Sequence, residues 1–152
     1  TSRMKKILLL IVFCAQLAYG LEGTVVGVHD GDTITVLDND KTEHKIRLAQ
    51  IDAPELSQEW GKNSKRALSN LVFGKFVAVN VESVDRYGRE VGTVFLNNQD
   101  ICKEQIRNGN AWVYVKYAHD KKKKKLEAIA QENKVGLWST GNAVPPWGFR
   151  KK

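Results

Sequence analysis

The chain has 152 residues, with apolar residues at 42% and charged residues at 27%, which fits about one folded domain and excludes a disordered or low-complexity chain. Its formal charge is +7, part of it at the N-terminus, and the remaining mild basic bias allows a polyanionic partner without requiring one. Arg3, Lys5 and Lys6 lead into an apolar run from Ile7 to Ala18, interrupted only by Gln16 and ending in Ala18-Tyr19-Gly20. A basic start, a short apolar stretch and small residues predict a secretory signal peptide over residues 1–20, removed after Gly20 to leave a mature domain over 21–152. The run of 12 residues falls short of the about 20 that span a bilayer. The sequence therefore predicts export, to the periplasm or outside the cell, rather than a retained anchor. Loss of the signal takes the 24 basic residues to 21, against 17 acidic ones. Cys14 leaves with it and Cys102 stays alone, so no intrachain disulfide can form and the fold rests on its apolar core.

From Gly23 to Leu37 the chain alternates and is rich in Val, Ile and Thr, with a break at Asp30-Gly31-Asp32. That predicts two strands around a tight turn. Asp38 to Lys41 reads as a second turn and Glu43 to Ile51 as a third strand, stopped at Ala53-Pro54 because proline has no ladder donor. From Ser57 onward Trp60, Ala67, Leu68 and Leu71 recur at mostly helical spacing, with Gly74 as the stop. Phe76 to Val81 predicts a strand, Asp85-Arg86-Tyr87-Gly88 a turn, and Val91, Thr93 and Phe95 another strand closed at Asn97-Asn98. Asp100 is placed to cap a short helix with Ile101 and Ile106 facing inward and Gly109 at its end. Lys121 to Lys134 reads as a third helix with Leu126, Ile129 and Ala130 as its apolar stripe. Together these elements predict an α+β fold, mainly β: a five-stranded OB-fold barrel with three short helices. Such barrels commonly bind oligonucleotides on one face.

Three segments concentrate charge at turns and strand ends, where rigid elements can aim it. They are Asp30-Gly31-Asp32-Thr33, the stretch from Arg47 to Glu55, and Asp85-Arg86-Tyr87-Gly88-Arg89. Hydrolysis of a phosphodiester needs a deprotonated water, relief of the negative charge gathering on phosphorus, and a departing alkoxide. Carboxylates can hold a hard cation for the charge, a further carboxylate can act as general base, and two arginines can clamp the phosphate through forked bonds. A donor set made only of oxygen, with no His or Cys cluster, favours Ca²⁺ or Mg²⁺ over Zn²⁺.

At these residues the sequence resembles the staphylococcal nuclease (thermonuclease) family. The matching motifs are Asp30-Gly31-Asp32-Thr33, Arg47-Leu48 with Ile51-Asp52-Ala53-Pro54-Glu55, and Tyr87-Gly88-Arg89. Further matches are Gly61 through Leu68, Gly136-Leu137-Trp138-Ser139 and Pro145-Pro146-Trp147. The resemblance covers nearly all of residues 23–150, with order and spacing preserved. It implies an OB-fold barrel with one Ca²⁺ at its mouth, held by Asp32, Asp52 and the backbone carbonyl of Ala53. Many members carry Thr at the position of Ala53, and a carbonyl ligand survives that difference. Glu55 is implied as the general base, acting on the water directly or by orienting it. Arg47 and Arg89 are implied as the phosphate-binding pair, Arg86 and Tyr87 as contacts to a terminal phosphate, and Tyr117 as a wall of the nucleotide pocket, with Tyr114 close by in sequence. The implied activity is a secreted, calcium-dependent nuclease that acts on DNA and RNA as a monomer, without stable membrane association, and leaves 3′-phosphates and free 5′-hydroxyls.

Each motif also has a plainer reading. Asp-Gly is a common hairpin signal, Arg47 with Asp52 can be a structural ion pair, and Glu55 can be a solvated loop acid. A catalytically inactive OB-fold module that only binds nucleic acid is the competing function. Such a module is expected to lack one or more of Asp32, Arg47, Asp52, Glu55 and Arg89, and all five are present. Lys121 to Lys125 reads as the solvated face of a helix that adds salt-dependent attraction for phosphate. Trp60, Trp112 and Trp138 are expected in the core and Trp147 as a pin for the tail. His29, His44 and His119 have no metal-ligand spacing, and Cys102 is expected to pack as a small hydrophobe.

Overall fold

The computed structural model describes residues 20–116 and 120–151. Residues 1–19 of the predicted signal, and Tyr117 and His119, lie outside the described residues. In chain order the elements are β1 (Leu21–Val28), β2 (Thr33–Asp38), β3 (Glu43–Leu48), β4 (Ile51–Asp52), α1 (Gly61–Val72), β5 (Phe76–Val84), β6 (Glu90–Leu96) and β7 (Gln99–Asp100). There follow α2 (Ile101–Arg107), β8 (Trp112–Val113), α3 (Lys121–Glu132), a 3-10 turn (Gly136–Thr140) and α4 (Pro146–Phe149).

β1, β2 and β3 form an antiparallel meander, β5 pairs with the other edge of β1, and β6 pairs with β5. A parallel pairing of β3 with β6 then closes the five strands into a barrel. Closure leaves neither strand edge open along this seam, and it sets Arg47 opposite Val91. The alternating Val and Ile of the strands fill the barrel: Val25, Ile34, Val36, Ile46, Leu48, Val77, Val79 and Val94 are all at most 1% exposed. Leu68 and Val72 of α1 and Ile101 and Ile106 of α2 join the same core. The predicted cap is present, with Asp100 accepting a hydrogen bond from the backbone N–H of Lys103 at 3.1 Å.

Two element boundaries and one helix face differ from the sequence expectation, each for a local reason. The third strand ends at Leu48 rather than Ile51, because Gln50 takes a left-handed φ of 65° and turns the chain. Ile51 and Asp52 then restart as β4, paired with β8. The first helix starts at Gly61 rather than near Ser57. Backbone bonds from Gln58 to the Glu55 carbonyl and from Gly61 to the Gln58 carbonyl make two turns first, and Trp60 enters the helix at φ 70°. In α3 the buried positions are Lys123 and Ala130, while Ile129 is 45% exposed. Lys123 is held there by Asp100 and Asp120, each at 3.6 Å. A fourth short helix, α4, adds to the three expected.

Candidate active site

The Asp30–Thr33 turn between β1 and β2, the end of β3 and the short β4 meet at one mouth of the barrel. Asp32 is 5% exposed and Asp52 1%. Neither carboxylate is left without partners, as burial of charge demands. Asp32 accepts from the Ala53 backbone N–H at 2.8 Å and from the Thr33 hydroxyl at 3.0 Å. Arg47 sits between the two acids, with Nη2 at 3.4 Å from Asp32 Oδ2 and 3.4 Å from Asp52 Oδ1. Its Nη1 donates to the carbonyls of Leu48 at 2.8 Å and Ile51 at 2.9 Å. The turn that ends β3 early therefore fixes the guanidinium, and the strand break serves the site. Burial pushes the Asp52 carboxyl above the usual range, against the Arg150 hydrogen bond and the Arg47 charge that oppose it. Burial, with the neighbouring Asp32 carboxylate, pushes Asp30 up to about 7.

Two glycines allow this approach of backbones. A Cβ on Gly31 would stand 1.9 Å from Ser64 Oγ, and one on Gly61 would stand 1.9 Å from the Glu55 carbonyl oxygen. The helix α1 thus backs both the Asp30–Asp32 turn and the Glu55 loop through positions that admit no side chain. Gln105 of α2, fully buried, donates to the Gly31 carbonyl at 2.8 Å and the Ser64 carbonyl at 3.3 Å. Glu55 itself stands at the rim, its side chain 37% exposed.

Arg150, just past α4, reaches into the same mouth. Its Nη2 donates to Asp52 Oδ2 at 2.6 Å, and its Nη1 to Asp52 Oδ1 at 3.2 Å and Glu55 Oε1 at 2.6 Å. Sequence reasoning missed Arg150 and Gln105. Both act on residues far away in the chain, and no local motif marks such a contact.

The second predicted cluster is the β5–β6 turn. Asp85 organises it, accepting from the backbone N–H of Tyr87 at 2.9 Å and of Arg89 at 3.0 Å, and from Arg89 Nε at 2.7 Å. Although partial burial works the other way, these bonds hold the Asp85 carboxyl below its usual range. Arg86 and Arg89 flank the Tyr87 ring at 4.8 and 5.4 Å from its centroid, and Arg86 Nη2 donates to the Tyr87 hydroxyl at 2.6 Å. Tyr87 is 68% exposed, free to meet a ligand. Arg89 directly precedes β6, whose Val91 pairs with Arg47, so the seam links the two clusters.

The expected tryptophan core is instead a half-buried aromatic layer. Trp112 meets Trp138 edge-on at 4.3 Å and Trp147 at 5.7 Å, and Trp147 stacks on Tyr114 at 5.8 Å. Trp147 does pin the tail. Trp60 donates to Asn110 Oδ1 at 3.0 Å. Cys102 is fully buried, and burial pushes its thiol up to about 12, as suits a packing residue.

Among the described residues no three His, Cys, Asp or Glu side chains gather as a metal cluster. Asp32 and Asp52 still fit a hard divalent cation. Their donors are all oxygen, and buried Asp52 already draws two guanidinium groups, Arg47 and Arg150. Ca²⁺ takes about six to eight oxygens and accepts backbone carbonyls and waters to complete its shell, so two carboxylates suffice as its charged core.

The family model for staphylococcal nuclease homologues matches residues 45–140, the span from β3 through the 3-10 turn that holds Arg47, Asp52, Glu55 and Arg89. An uncharacterized endonuclease of Escherichia coli O157:H7 is 40% identical across 98% of this chain and 99% of its own length. One of Haemophilus influenzae is 38% identical across 95% of this chain and 83% of its own. A micrococcal nuclease of Shigella flexneri is 39% identical across 85% and 80%. These matches establish that the protein belongs to the staphylococcal nuclease family.

Proposed function

We propose that residues 21–152 form an exported, Ca²⁺-dependent nuclease that cleaves phosphodiester bonds of DNA and RNA, leaving 3′-phosphates and 5′-hydroxyls. Family membership, with relatives named as nucleases, makes nucleic acid the substrate class. The observation that carries the finer reading is the Arg47 guanidinium, locked by two backbone carbonyls between two buried carboxylates. A phosphate bound beside it meets a positive charge already fixed in place as negative charge develops, which is where electrostatic catalysis gains most. Arg89 brings a second guanidinium from the far side of the seam. Glu55, at the rim, accepts the proton of the attacking water or orients it, while the bond from phosphorus to the 5′ oxygen breaks. A bound Ca²⁺, with Asp32, Asp52 and the Ala53 carbonyl as its ligands, would neutralise phosphate oxygens and polarise the water. Tyr87 and Arg86 suit a terminal phosphate, and Tyr117 is assigned to the nucleotide pocket by the resemblance alone. The protein acts as a monomer, free of the membrane once its signal is removed.

The test is hydrolysis of DNA and of RNA by purified protein with Ca²⁺, with Mg²⁺ and with chelator, followed by end-group analysis of the products. Cleavage is expected with Ca²⁺, much more weakly with Mg²⁺, which demands a nearer-octahedral shell, and not at all with chelator. Full activity in excess chelator overturns the metal assignment. Binding without cleavage under every cation favours the inactive binding module. N-terminal sequencing of the exported protein is expected to begin at Leu21.

A further inference from the structure

Two arginines share Asp52, and they are mounted differently. Arg47 is 14% exposed at its side chain and held by two backbone carbonyls. Arg150 is 42% exposed and sits at the end of a four-residue helix. Its mount is firm: Pro146 is buried, Trp147 lies between Tyr114 and Trp112, and the Gln58 side chain donates to the Val144 carbonyl. Beyond that mount the guanidinium is carried on the rotatable bonds of a long side chain. In the structure it grips both oxygens of Asp52 and one of Glu55.

We propose that Arg150 is a tethered counter-cation of the site, competing with the divalent cation for Asp52 and holding Glu55 until that cation enters. The proposal rests on the reading of Asp32 and Asp52 as cation ligands. An ionised carboxylate of 1% exposure is costly without positive partners, and beside Arg47 the Arg150 fork occupies both Asp52 oxygens, the donors this side chain has for a divalent ion. Addition of two further charges beside Arg47 and Arg150 together is opposed by Coulomb repulsion in a poorly solvated mouth. Arg47 is pinned, so Arg150 is the group that gives way. When it leaves, Glu55 loses the guanidinium bond that holds its Oε1 and regains a free acceptor. Cation loading and exposure of the base are thereby one event. Arg150 is a positioning residue here, acting through Asp52 and Glu55.

The test is calorimetric titration of Ca²⁺ into the full protein, as wild type, Arg150→Gln, Arg150→Lys and Lys151→Gln, together with thermal melts of the cation-free proteins. Arg150→Gln is expected to bind Ca²⁺ about 5- to 10-fold tighter, the range set by a partly exposed ion pair that no longer has to be displaced. Its cation-free melting temperature should fall, so that the Ca²⁺-induced rise in Tm grows. Arg150→Lys, with the charge but without the fork, should lie between. Lys151→Gln removes the same charge from the adjacent exposed residue and should match wild type. General structural damage weakens cation binding, so tighter binding is the diagnostic sign. Equal affinity in wild type and Arg150→Gln overturns the proposal and leaves the cation site standing, and so does a gain matched by Lys151→Gln. If Arg150→Gln fails to fold, Arg150→Lys decides: tighter than wild type supports the competition, equal overturns it. Should none of the proteins bind Ca²⁺, the cation reading of the site fails and takes this proposal with it.

Discussion

Asp52 and Asp85 are both carboxylates bonded to arginine, yet they are built in opposite ways. The arginine partners of Asp52 lie five and 98 residues away, on separate elements, and its side chain is 1% exposed. The side-chain partners of Asp85 all lie within four residues, in one turn at the barrel surface. The mouth around Asp52 exists only when β2, β3, β4 and the tail have all been placed, so its geometry depends on the whole fold. The turn around Asp85 closes on its own bonds and offers Arg86, Tyr87 and Arg89 from a local scaffold. A change at the buried carboxylates of the mouth should therefore disturb cation binding, chemistry and stability together. A change in the turn should touch phosphate contacts and leave the fold alone.

The largest expected effect lies at the rim of the mouth. Glu55→Gln keeps the size of the side chain and removes the proton acceptor, so kcat should fall by roughly 10²–10⁴-fold, about 2.7–5.4 kcal/mol of barrier, with Ca²⁺ affinity largely retained. Asp52→Asn should instead weaken Ca²⁺ binding and recover part of its rate at high Ca²⁺. The measurement is kcat against Ca²⁺ concentration for both variants. Rescue of Glu55→Gln by added Ca²⁺ would make Glu55 a metal ligand and send the search for the base elsewhere.

In the turn, Arg89→Lys keeps a charge but loses the planar fork and the Nε bond to Asp85. A fall of roughly 10²-fold in kcat is expected, by analogy with removal of one preorganised donor, while the unfolding free energy from urea titration stays within about 0.5 kcal/mol of wild type, as for a surface change. If stability fell as far as it does for changes in the mouth, the turn would not be the self-contained unit described above.

How far each region could be read from sequence follows the same division. The turn was legible because its residues are consecutive: Asp85 through Arg89 form one motif. The strand pattern was legible because period-two alternation of Val and Ile survives in β2 and β5. The end of β3 was not, since Ala49 and Gln50 look like strand continuation, and only the tertiary need to turn Arg47 toward two carbonyls breaks the run. In the stripe of α3 Leu126 and Ala130 face the core as expected and Ile129 does not, while Lys123, expected in solvent, is buried because Asp100 and Asp120 supply its charge partners. Motif matching found Asp32, Arg47 and Asp52, which the fold does gather. It could not find Gln105 or Arg150, whose roles are fixed by partners 74 and 98 residues away.

Gln105 offers a smaller test of the mouth's dependence on the fold. Gln105→Ala leaves the buried carbonyls of Gly31 and Ser64 without this donor, a loss of about 1–3 kcal/mol for an unsatisfied buried group. Because Gly31 lies between Asp30 and Asp32, Ca²⁺ affinity should weaken as well. Denaturant unfolding and Ca²⁺ titration of the same variant check both. A loss of stability with unchanged Ca²⁺ affinity would show that the turn keeps its shape without α2 behind it.

The smallest expected effect is at the seam that joins the two regions. His44 of β3 bonds Asp38 at 2.7 Å through Nε2 and Glu90 of β6 at 2.6 Å through Nδ1, beside the β3–β6 pairing that carries Arg47. The Asp38 hydrogen bond, then that of Glu90, raises the His44 pKa above its ordinary 6.5. A group whose folded pKa is raised stabilises the fold fully below its unfolded value, and that contribution is lost as pH climbs through the folded value. Asp38 runs the other way: the His44 bond lowers it from 3.8, so its contribution is present above that value and lost as pH falls through the lower folded one. Between them they define a window, from about pH 4 to about pH 6.5, in which the seam is most stable. Urea midpoints at pH 6 and pH 9 should therefore decline in wild type. His44→Gln, which cannot charge, should show a smaller decline across the same interval and lower stability than wild type at pH 6. An identical pH slope in the two proteins would mean that the imidazole is not the group that titrates, and that the barrel closes through backbone pairing alone.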